Sequence, residues 1–170
     1  MRIYPKNKEH FKKLIPFAKK IISICRENKI DPIIYGSFVH FVYTKDTNMN
    51  VNDIDIIIPR NGLKKLIKLL KKDKIKFIRC SPEDYSIIIK KGKLKLELDE
   101  VGTGYKTLNK KSLSKNIFNK VDFYGTEIRI ITLKQLEEMY PIAYNRSKED
   151  KVKLLKKIKH LEKFLGRKLK

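Results

Sequence analysis

Four acidic side chains occur at spacings that would let them act on one ligand. Asp53 and Asp55 are separated by a single residue, and Glu97 and Asp99 repeat that spacing later in the chain. Alternate residues of a β-strand share a face, so the members of each pair would lie about 7 Å apart on the same side. Like charges this close repel, and burying them is costly unless a cation lies between them.

Divalent metal binding is the chemistry that such a cluster supports. Ligands made only of oxygen suit Mg²⁺ or Mn²⁺, which also bind phosphate oxygens. With two ions, one can activate an attacking oxygen while the other stabilises a leaving phosphate. Gly36 and Ser37 follow a short apolar run. A turn there would let backbone N–H groups and a hydroxyl approach a phosphate. The motifs together predict a metal-dependent phosphate site.

Each motif also has a simpler interpretation. Asp53 and Asp55 could belong to a solvated strand face, and Gly36-Ser37 could be an ordinary turn. The run LKLELDE could be a half-exposed edge strand in which Glu97 pairs with a lysine. The order of the motifs favours the phosphate site: a strand, Gly-Ser, a short helix, a loop, an acidic pair and a later acidic strand.

Periodicity predicts the elements that would position these groups. The predicted strands cover residues 33–35, 53–58, 75–80, 85–89 and 93–99, and a hairpin surrounds Gly125. The predicted helices cover residues 7–28, 38–43, a segment from Asn61, 132–144 and a last segment from Ser147. Val152, Leu155, Ile158, Leu161 and Leu165 form the predicted apolar stripe of the last helix. Residues 102–120 are polar, and we expect a mobile loop there.

Several local signals refine this assignment. Pro16 is expected to kink or split the first helix. Thr132 and Gln135 predict a capping box. The interpretation favoured for His40 is a hydrogen-bonded helix histidine, with a place near the ligand as the alternative. The other two histidines, His10 and His160, lie among lysines and are remote in sequence, so no histidine metal site is predicted.

Length and composition bound the class of protein. The 170 residues favour one domain, or a core over 1–131 with a helical extension over 132–170 that forms one compact unit with it. We expect Cys25 and Cys80 to be core thiols rather than a disulfide or metal pair. No run is long and apolar enough for a membrane span or a leader, so a soluble cytoplasmic protein is expected.

The net charge of +22 has two explanations. It could raise the encounter rate with polyanions such as RNA, DNA or nucleotides. It could equally reflect a genome-wide bias towards lysine. No pattern of alternating aromatic and arginine residues, typical of single-strand binding, occurs along the chain.

The conjunction of motifs resembles the DNA polymerase beta-type nucleotidyltransferase superfamily. Its signature is a Gly-Ser after a first strand, an acid-x-acid pair and a third acid on a later strand. Here these are Gly36-Ser37, Asp53-Ile54-Asp55 and Glu97 or Asp99. The resemblance covers about residues 30–101. It implies an α+β nucleotidyltransferase fold, with a mixed β-sheet, helices packed on one side and C-terminal helices.

The resemblance also implies an activity and its residues. A nucleoside monophosphate would move from an NTP such as ATP to an acceptor hydroxyl, and pyrophosphate would be released. Asp53 and Asp55 would bind Mg²⁺ or Mn²⁺ and the triphosphate. Glu97, preferred over Asp99, would bind the catalytic metal and help activate the hydroxyl. Gly36 and Ser37 would bind the β- and γ-phosphates.

The identity of the acceptor stays open at this point. Small stand-alone relatives modify RNA ends, partner proteins or small molecules, and several belong to toxin–antitoxin pairs. The fifteen residues between Ser37 and Asp53 are a longer spacing than is usual in the family. Two rival functions are an inactive nucleotide- or RNA-binding module, such as an antitoxin or adaptor, and a basic nucleic-acid-binding protein in which the acids have no role.

Overall fold

A computed structural model describes residues 3–80, 85–101, 118–147 and 149–169, except for the side chain of Arg146. Within these ranges the chain forms five helices and seven strands. The helices are α1 (Lys8–Glu27), α2 (Gly36–Thr44), α3 (Gly62–Lys72), α4 (Leu133–Arg146) and α5 (Lys151–Leu165). The strands are β1 (Ile33–Tyr35), β2 (Asp53–Ile58), β3 (Phe77–Arg79), β4 (Ser86–Lys91), β5 (Leu94–Glu100), β6 (Asn119–Asp122) and β7 (Glu127–Ile130).

The strands form a single mixed sheet in the order β3-β4-β5-β2-β1-β7-β6. β2 runs parallel to β5, and β1 runs parallel to β7, while the other neighbouring pairs are antiparallel. The central position of β2 and β5 places both acidic motifs in the middle of the sheet. The α+β class and the mixed sheet expected from the resemblance are confirmed.

Apolar and charged residues alternate along the central strands β2 and β5, and the helices cover the apolar face. Ile54, Ile56 and Ile58 of β2 are completely buried, as are Leu96 and Leu98 of β5. Helices α1 and α3 contact these strands. The apolar face therefore belongs to the core, and the opposite face of the same strands is left for the charged residues.

The split of the first helix at Pro16 and the burial of Cys80, both expected from the sequence, are corrected. The helix does not split at Pro16 but continues through it. Pro16 is exposed, and the buried residues on either side of it, such as Ile15 and Ala18, keep the helix packed on the core. Cys25 is buried as expected, whereas Cys80 is exposed because it follows the edge strand β3.

In the C-terminal part, the predicted capping box is present, but the predicted apolar stripe of the last helix is not fully buried. Thr132 Oγ1 accepts a hydrogen bond from the Gln135 N–H at 3.2 Å, and Gln135 Oε1 accepts one from the Thr132 N–H at 2.7 Å, so the capping box is confirmed. The predicted apolar stripe of α5 is only partly buried. Leu161 is fully buried, but Val152 is 71% exposed.

The expectation of a mobile loop over 102–120 falls mostly outside the described residues. Its last two positions, Asn119 and Lys120, belong to β6, so the loop assignment is wrong there. None of the described helices has the length and apolar character needed to cross a membrane.

Candidate functional site

The register of the central strands brings the acidic motifs together. Asp55 of β2 is paired with Glu97 of β5 on one side and with Tyr35 of β1 on the other. Asp53 is paired with Lys95. Paired residues of neighbouring strands lie on the same face about 5 Å apart. Three carboxylates and one ammonium group therefore share a small area on the polar face of the sheet.

Gly36 fits this area because it has no side chain. It lies where β1 passes into α2, with a φ of +73° that favours glycine. A Cβ atom at this position would lie 1.9 Å from Asp55 Oδ2. The backbone at the start of α2 thus comes into direct contact with a carboxylate, and no other residue type could be accommodated without moving one of them.

Two lysines that sequence analysis did not single out complete the cluster. The Lys95 Nζ lies 2.9 Å from Asp53 Oδ2 and 3.1 Å from Glu97 Oε2. The Lys157 Nζ, which comes from α5, donates a hydrogen bond of 2.6 Å to Ser37 Oγ. Alternation with Glu97 could have identified Lys95. Lys157 is 120 residues from Ser37 in sequence, so no local pattern pointed to it.

The pairing of Glu97 with a lysine was part of the simpler interpretation of β5, and that pairing is present. The rest of that interpretation is wrong, because β5 lies between β4 and β2 and is not an edge strand. A strand in the interior of a sheet holds its side chains at fixed positions on both sides. Glu97 is thereby positioned against Asp55 rather than left to solvent.

The electrostatics of the cluster are those of crowded, partly buried charges. Burial raises the pKa of Asp55, and the carboxylates of Asp53 and Glu97 raise it further, against the opposing effect of the nearby lysines. Burial lowers the pKa of Lys157, which the charge of Asp55 partly offsets. For Lys95, burial favours a lower pKa, but its bonds to Asp53 and Glu97 outweigh this, and the pKa is raised. An added cation would relieve this crowding.

Asp99 is held differently from the other three acids. It is paired with Ile57, one step further from Asp55 than Glu97 is, and only 5% of it is exposed. Its Oδ2 accepts a hydrogen bond of 2.5 Å from the Tyr35 hydroxyl. This contact holds Asp99 inside the protein, whereas the side chain of Glu97, although one of its oxygens contacts Lys95, is 27% exposed, so Glu97 is the more accessible of the two.

The donor set suits Mg²⁺ chemically but does not form a complete cage. Among the residues that the structure describes, no three His, Cys, Asp or Glu side chains are arranged to hold a metal ion by themselves. Mg²⁺ is commonly bound by one or two carboxylates together with substrate phosphates. Asp53, Asp55 and Glu97 fit that mode, with Lys95 occupying the space between two of them.

Beside the acidic cluster, a chain of hydrogen bonds joins the helices α2, α4 and α5. His40 Nδ1 lies 3.1 Å from the Tyr140 hydroxyl, and His40 Nε2 lies 2.9 Å from His160 Nδ1. His160 Nε2 lies 2.7 Å from Asp46 Oδ2. His40 is therefore a hydrogen-bonded helix histidine, as predicted. His160, remote from His40 in sequence, lies beside it because α5 folds back onto α2.

The buried histidine has a strongly shifted protonation equilibrium. Burial, followed by the nearby His160 and Lys157, lowers the pKa of His40 to about 3. His40 is completely buried and Tyr140 nearly so. They hold α5, with its Lys157, against α2.

A cleft of about 590 Å³ opens beside the cluster. Ser37 and Asp53 line one end of it, and Lys153, Lys156 and Lys157 of α5 line a wall. The size suits a ligand such as a nucleotide. Asp150 also lines it.

Comparison with known proteins gives relatives by structure alone. No protein-family model matches the sequence, and none of the curated proteins matches it. A nucleotidyltransferase-like antigenic protein from Paracoccidioides brasiliensis is 14% identical with a TM-score of 0.59, over 92% of this chain and 77% of that one.

Two antibiotic-modifying enzymes have similar structures. ANT(2″)-Ia, in complex with adenylyl-2″-tobramycin, is 13% identical with a TM-score of 0.60, over 89% of both chains. The lincosamide antibiotic adenylyltransferase LnuA, bound to lincomycin, is 15% identical with a TM-score of 0.53, over 85% of this chain and 95% of that one. At these identities the similarity concerns the fold. The chain has the fold of the small nucleotidyltransferases, as its sequence motifs predicted.

Proposed function

We propose that this protein is a metal-dependent nucleotidyltransferase that moves a nucleoside monophosphate from an NTP to an acceptor hydroxyl and releases pyrophosphate. The observation that carries the proposal is the contact between the Gly36 backbone and Asp55, with Glu97 paired to Asp55 across the sheet. A site for phosphate at a helix start thereby adjoins a site for metal.

In this proposal the chain's residues have distinct roles. Asp53, Asp55 and Glu97 would hold Mg²⁺ or Mn²⁺ together with the triphosphate. The bound metal would neutralise charge on the phosphates. The backbone of Gly36 and the hydroxyl of Ser37 would bind the β- and γ-phosphates. Lys157, already 2.6 Å from Ser37 Oγ, adds a positive charge at the same place.

The transfer itself forms one bond and breaks another. The acceptor oxygen bonds to the α-phosphorus, and the bond from that phosphorus to the bridging oxygen of pyrophosphate breaks, with the electron pair leaving on pyrophosphate. Glu97 takes the proton of the acceptor hydroxyl as general base. One similar structure contains adenylyl-2″-tobramycin, and another contains lincomycin. These ligands support a small-molecule hydroxyl as one class of acceptor, beside an RNA end or a protein.

Thermal unfolding with each of the four NTPs tests the proposal before any acceptor is known. Binding to the folded state stabilises by about 2.7 kcal/mol at a hundredfold excess over Kd, a rise in Tm of roughly 5–10 °C. We expect a rise that needs Mg²⁺ and is lost in the double variant Asp53→Asn/Asp55→Asn. A folded native protein with no response to any NTP would refute the proposal.

Lys95 supports a second candidate, the inactive nucleotide-binding module. Its ammonium lies between Asp53 and Glu97, where it offsets part of their charge without a metal. A module of this kind would bind an NTP without needing Mg²⁺ and would not turn it over.

The variant Lys95→Met separates the two candidates. For the transferase we expect Mg²⁺-dependent NTP binding to persist or strengthen, because the ammonium no longer competes with the metal. For the module we expect the charge balance to fail and metal-independent binding to weaken. Titration of the NTP by calorimetry, with Mg²⁺ and with EDTA, measures both.

A further inference from the structure

A second concave surface lies on the opposite side of the sheet from the acidic cluster. It is a groove of about 380 Å³ between α1, the start of β3 and the turn joining β4 to β5. The residues at its rim are Lys13, Lys20, Lys76, Lys90 and Lys91, and we call it the lysine groove. Phe17, Ile75 and Leu94 are among the apolar residues of its floor.

The charges of the lysine groove are unbalanced. No acidic residue is among its lining residues, and all five lysines are exposed. None of the five ammonium groups forms an ion pair with another residue in the described part of the chain. Elsewhere on the protein, lysines such as Lys95 and Lys120 do have acidic partners. The groove therefore concentrates positive charge around an apolar floor.

Two neighbouring lysines of β4 at the rim of the lysine groove belong to opposite faces of the sheet. Lys91 is paired with Leu94, so its side chain lies on the groove face. The next residue back, Lys90, is paired with Lys95 and lies on the face of the acidic cluster. Lys95 is paired in turn with Asp53, about two strand spacings, or roughly 10 Å, from Lys90.

We infer that the lysine groove binds single-stranded nucleic acid, for which an RNA strand is the probe. A strand of RNA alternates phosphates with flat bases, which matches lysines spaced around a floor that contains an aromatic ring. An unpaired base, unlike a base stacked inside a duplex, has a free face that can stack on Phe17. The inference goes beyond the proposed function, because binding at the groove requires neither NTP nor metal.

The test is the affinity for a fluorescent 12-nucleotide oligouridine RNA, measured by anisotropy in EDTA without NTP. The groove variant is Lys13→Gln/Lys20→Gln/Lys76→Gln/Lys91→Gln. Its matched control is Lys64→Gln/Lys68→Gln/Lys134→Gln/Lys163→Gln, which removes the same charge at exposed lysines outside the groove. Exposed substitutions of this kind have little effect on folding.

We expect the groove variant to bind at least tenfold more weakly than the control at about 100 mM salt. If the four lysines contact phosphates, the slope of log K against log salt should fall in magnitude by about 3, from 0.7 for each phosphate contact. Equal weakening in both variants, or no binding by the native protein, would overturn the inference. The inference would also be overturned if the groove variant kept its RNA affinity but no longer bound phosphatidylserine vesicles, because the ligand would then be a membrane surface.

The outcome is separable from that of the proposed function. The thermal response to Mg²⁺ and NTP should be the same in the groove variant as in the native protein, because the groove lies on the other face of the sheet. RNA binding should likewise survive in Asp53→Asn/Asp55→Asn. Each proposal can therefore fail while the other stands.

Discussion

At the scale of single residues, the site depends on a glycine and a carboxylate that occupy adjoining space. Gly36 has a positive φ, and its α-carbon lies against Asp55. Burial, followed by the charges of Asp53 and Glu97, raises the pKa of Asp55. The position of Asp55 is therefore constrained by its packing against Gly36, and its ionisation by its burial and its acidic neighbours.

Gly36→Ala should destabilise the fold by about 2–4 kcal/mol and abolish nucleotide binding, because the new methyl group would collide with Asp55. Gly92→Ala is the matched control: Gly92 also has a positive φ, but nothing lies within 4 Å of its added Cβ. We expect a cost of about 1 kcal/mol there. Urea unfolding measures both, and equal costs would contradict the contact argument.

Asp55→Asn should stabilise the metal-free protein at pH 7. The pKa of Asp55 is higher in the folded state than in the unfolded state, so ionisation costs folding free energy as the pH rises above about 4. We expect a gain of about 2 kcal/mol, or roughly 4–8 °C in Tm, that disappears near pH 4. A Tm difference that is independent of pH would show that removal of charge is not the cause.

At the scale of secondary-structure elements, the position of α5 determines whether the site is complete. Strand register alone assembles Asp53, Asp55 and Glu97, but Lys157 reaches Ser37 only because α5 packs against α2. The contact between the buried His40 and the partly exposed His160 joins these two helices. The charge state of His40 is thus coupled to the docking of α5.

The native protein should lose stability as the pH falls below about 6.5, more steeply than His40→Gln. The folded pKa of His40, about 3, lies below that of the unfolded chain, so the unfolded state takes up a proton first. One such group contributes about 1.4 kcal/mol per pH unit between pH 6 and 4. Urea titrations at four pH values measure the two slopes, and parallel slopes would exclude His40 as the source.

At the scale of the whole molecule, the sheet separates two surfaces of different character. One face carries the acidic cluster and the cleft, and the other carries the helices α1 and α3 and the lysine groove. The division of the chain into a core over 1–131 and an extension over 132–170 stays a prediction. The burial of Met139 and Tyr140 against the core favours a single cooperative unit.

The chain should therefore unfold in one transition. Circular dichroism follows all the helices, while tyrosine fluorescence includes Tyr140 of α4 and Tyr35 of the sheet. We expect the two urea curves to superimpose. Two separate midpoints would show that residues 132–170 fold independently, and the truncated chain 1–131 should then remain folded.

The sequence by itself determined the fold class and the members of the acidic cluster. Alternation placed Asp53 with Asp55 and Glu97 with Asp99, because the period of a strand is a local property of the chain. The Thr132 capping box was equally local. These predictions needed no knowledge of which elements are neighbours.

Only the tertiary structure decided how distant segments meet. The register of β2 against β5 placed Glu97, rather than Asp99, beside Asp55. The fold of α5 brought Lys157 to Ser37 and His160 to His40 across 120 residues each. The lysine groove draws on three separate segments in the same way. Contacts of this kind arise from packing between elements, which leaves no periodic signal in the sequence.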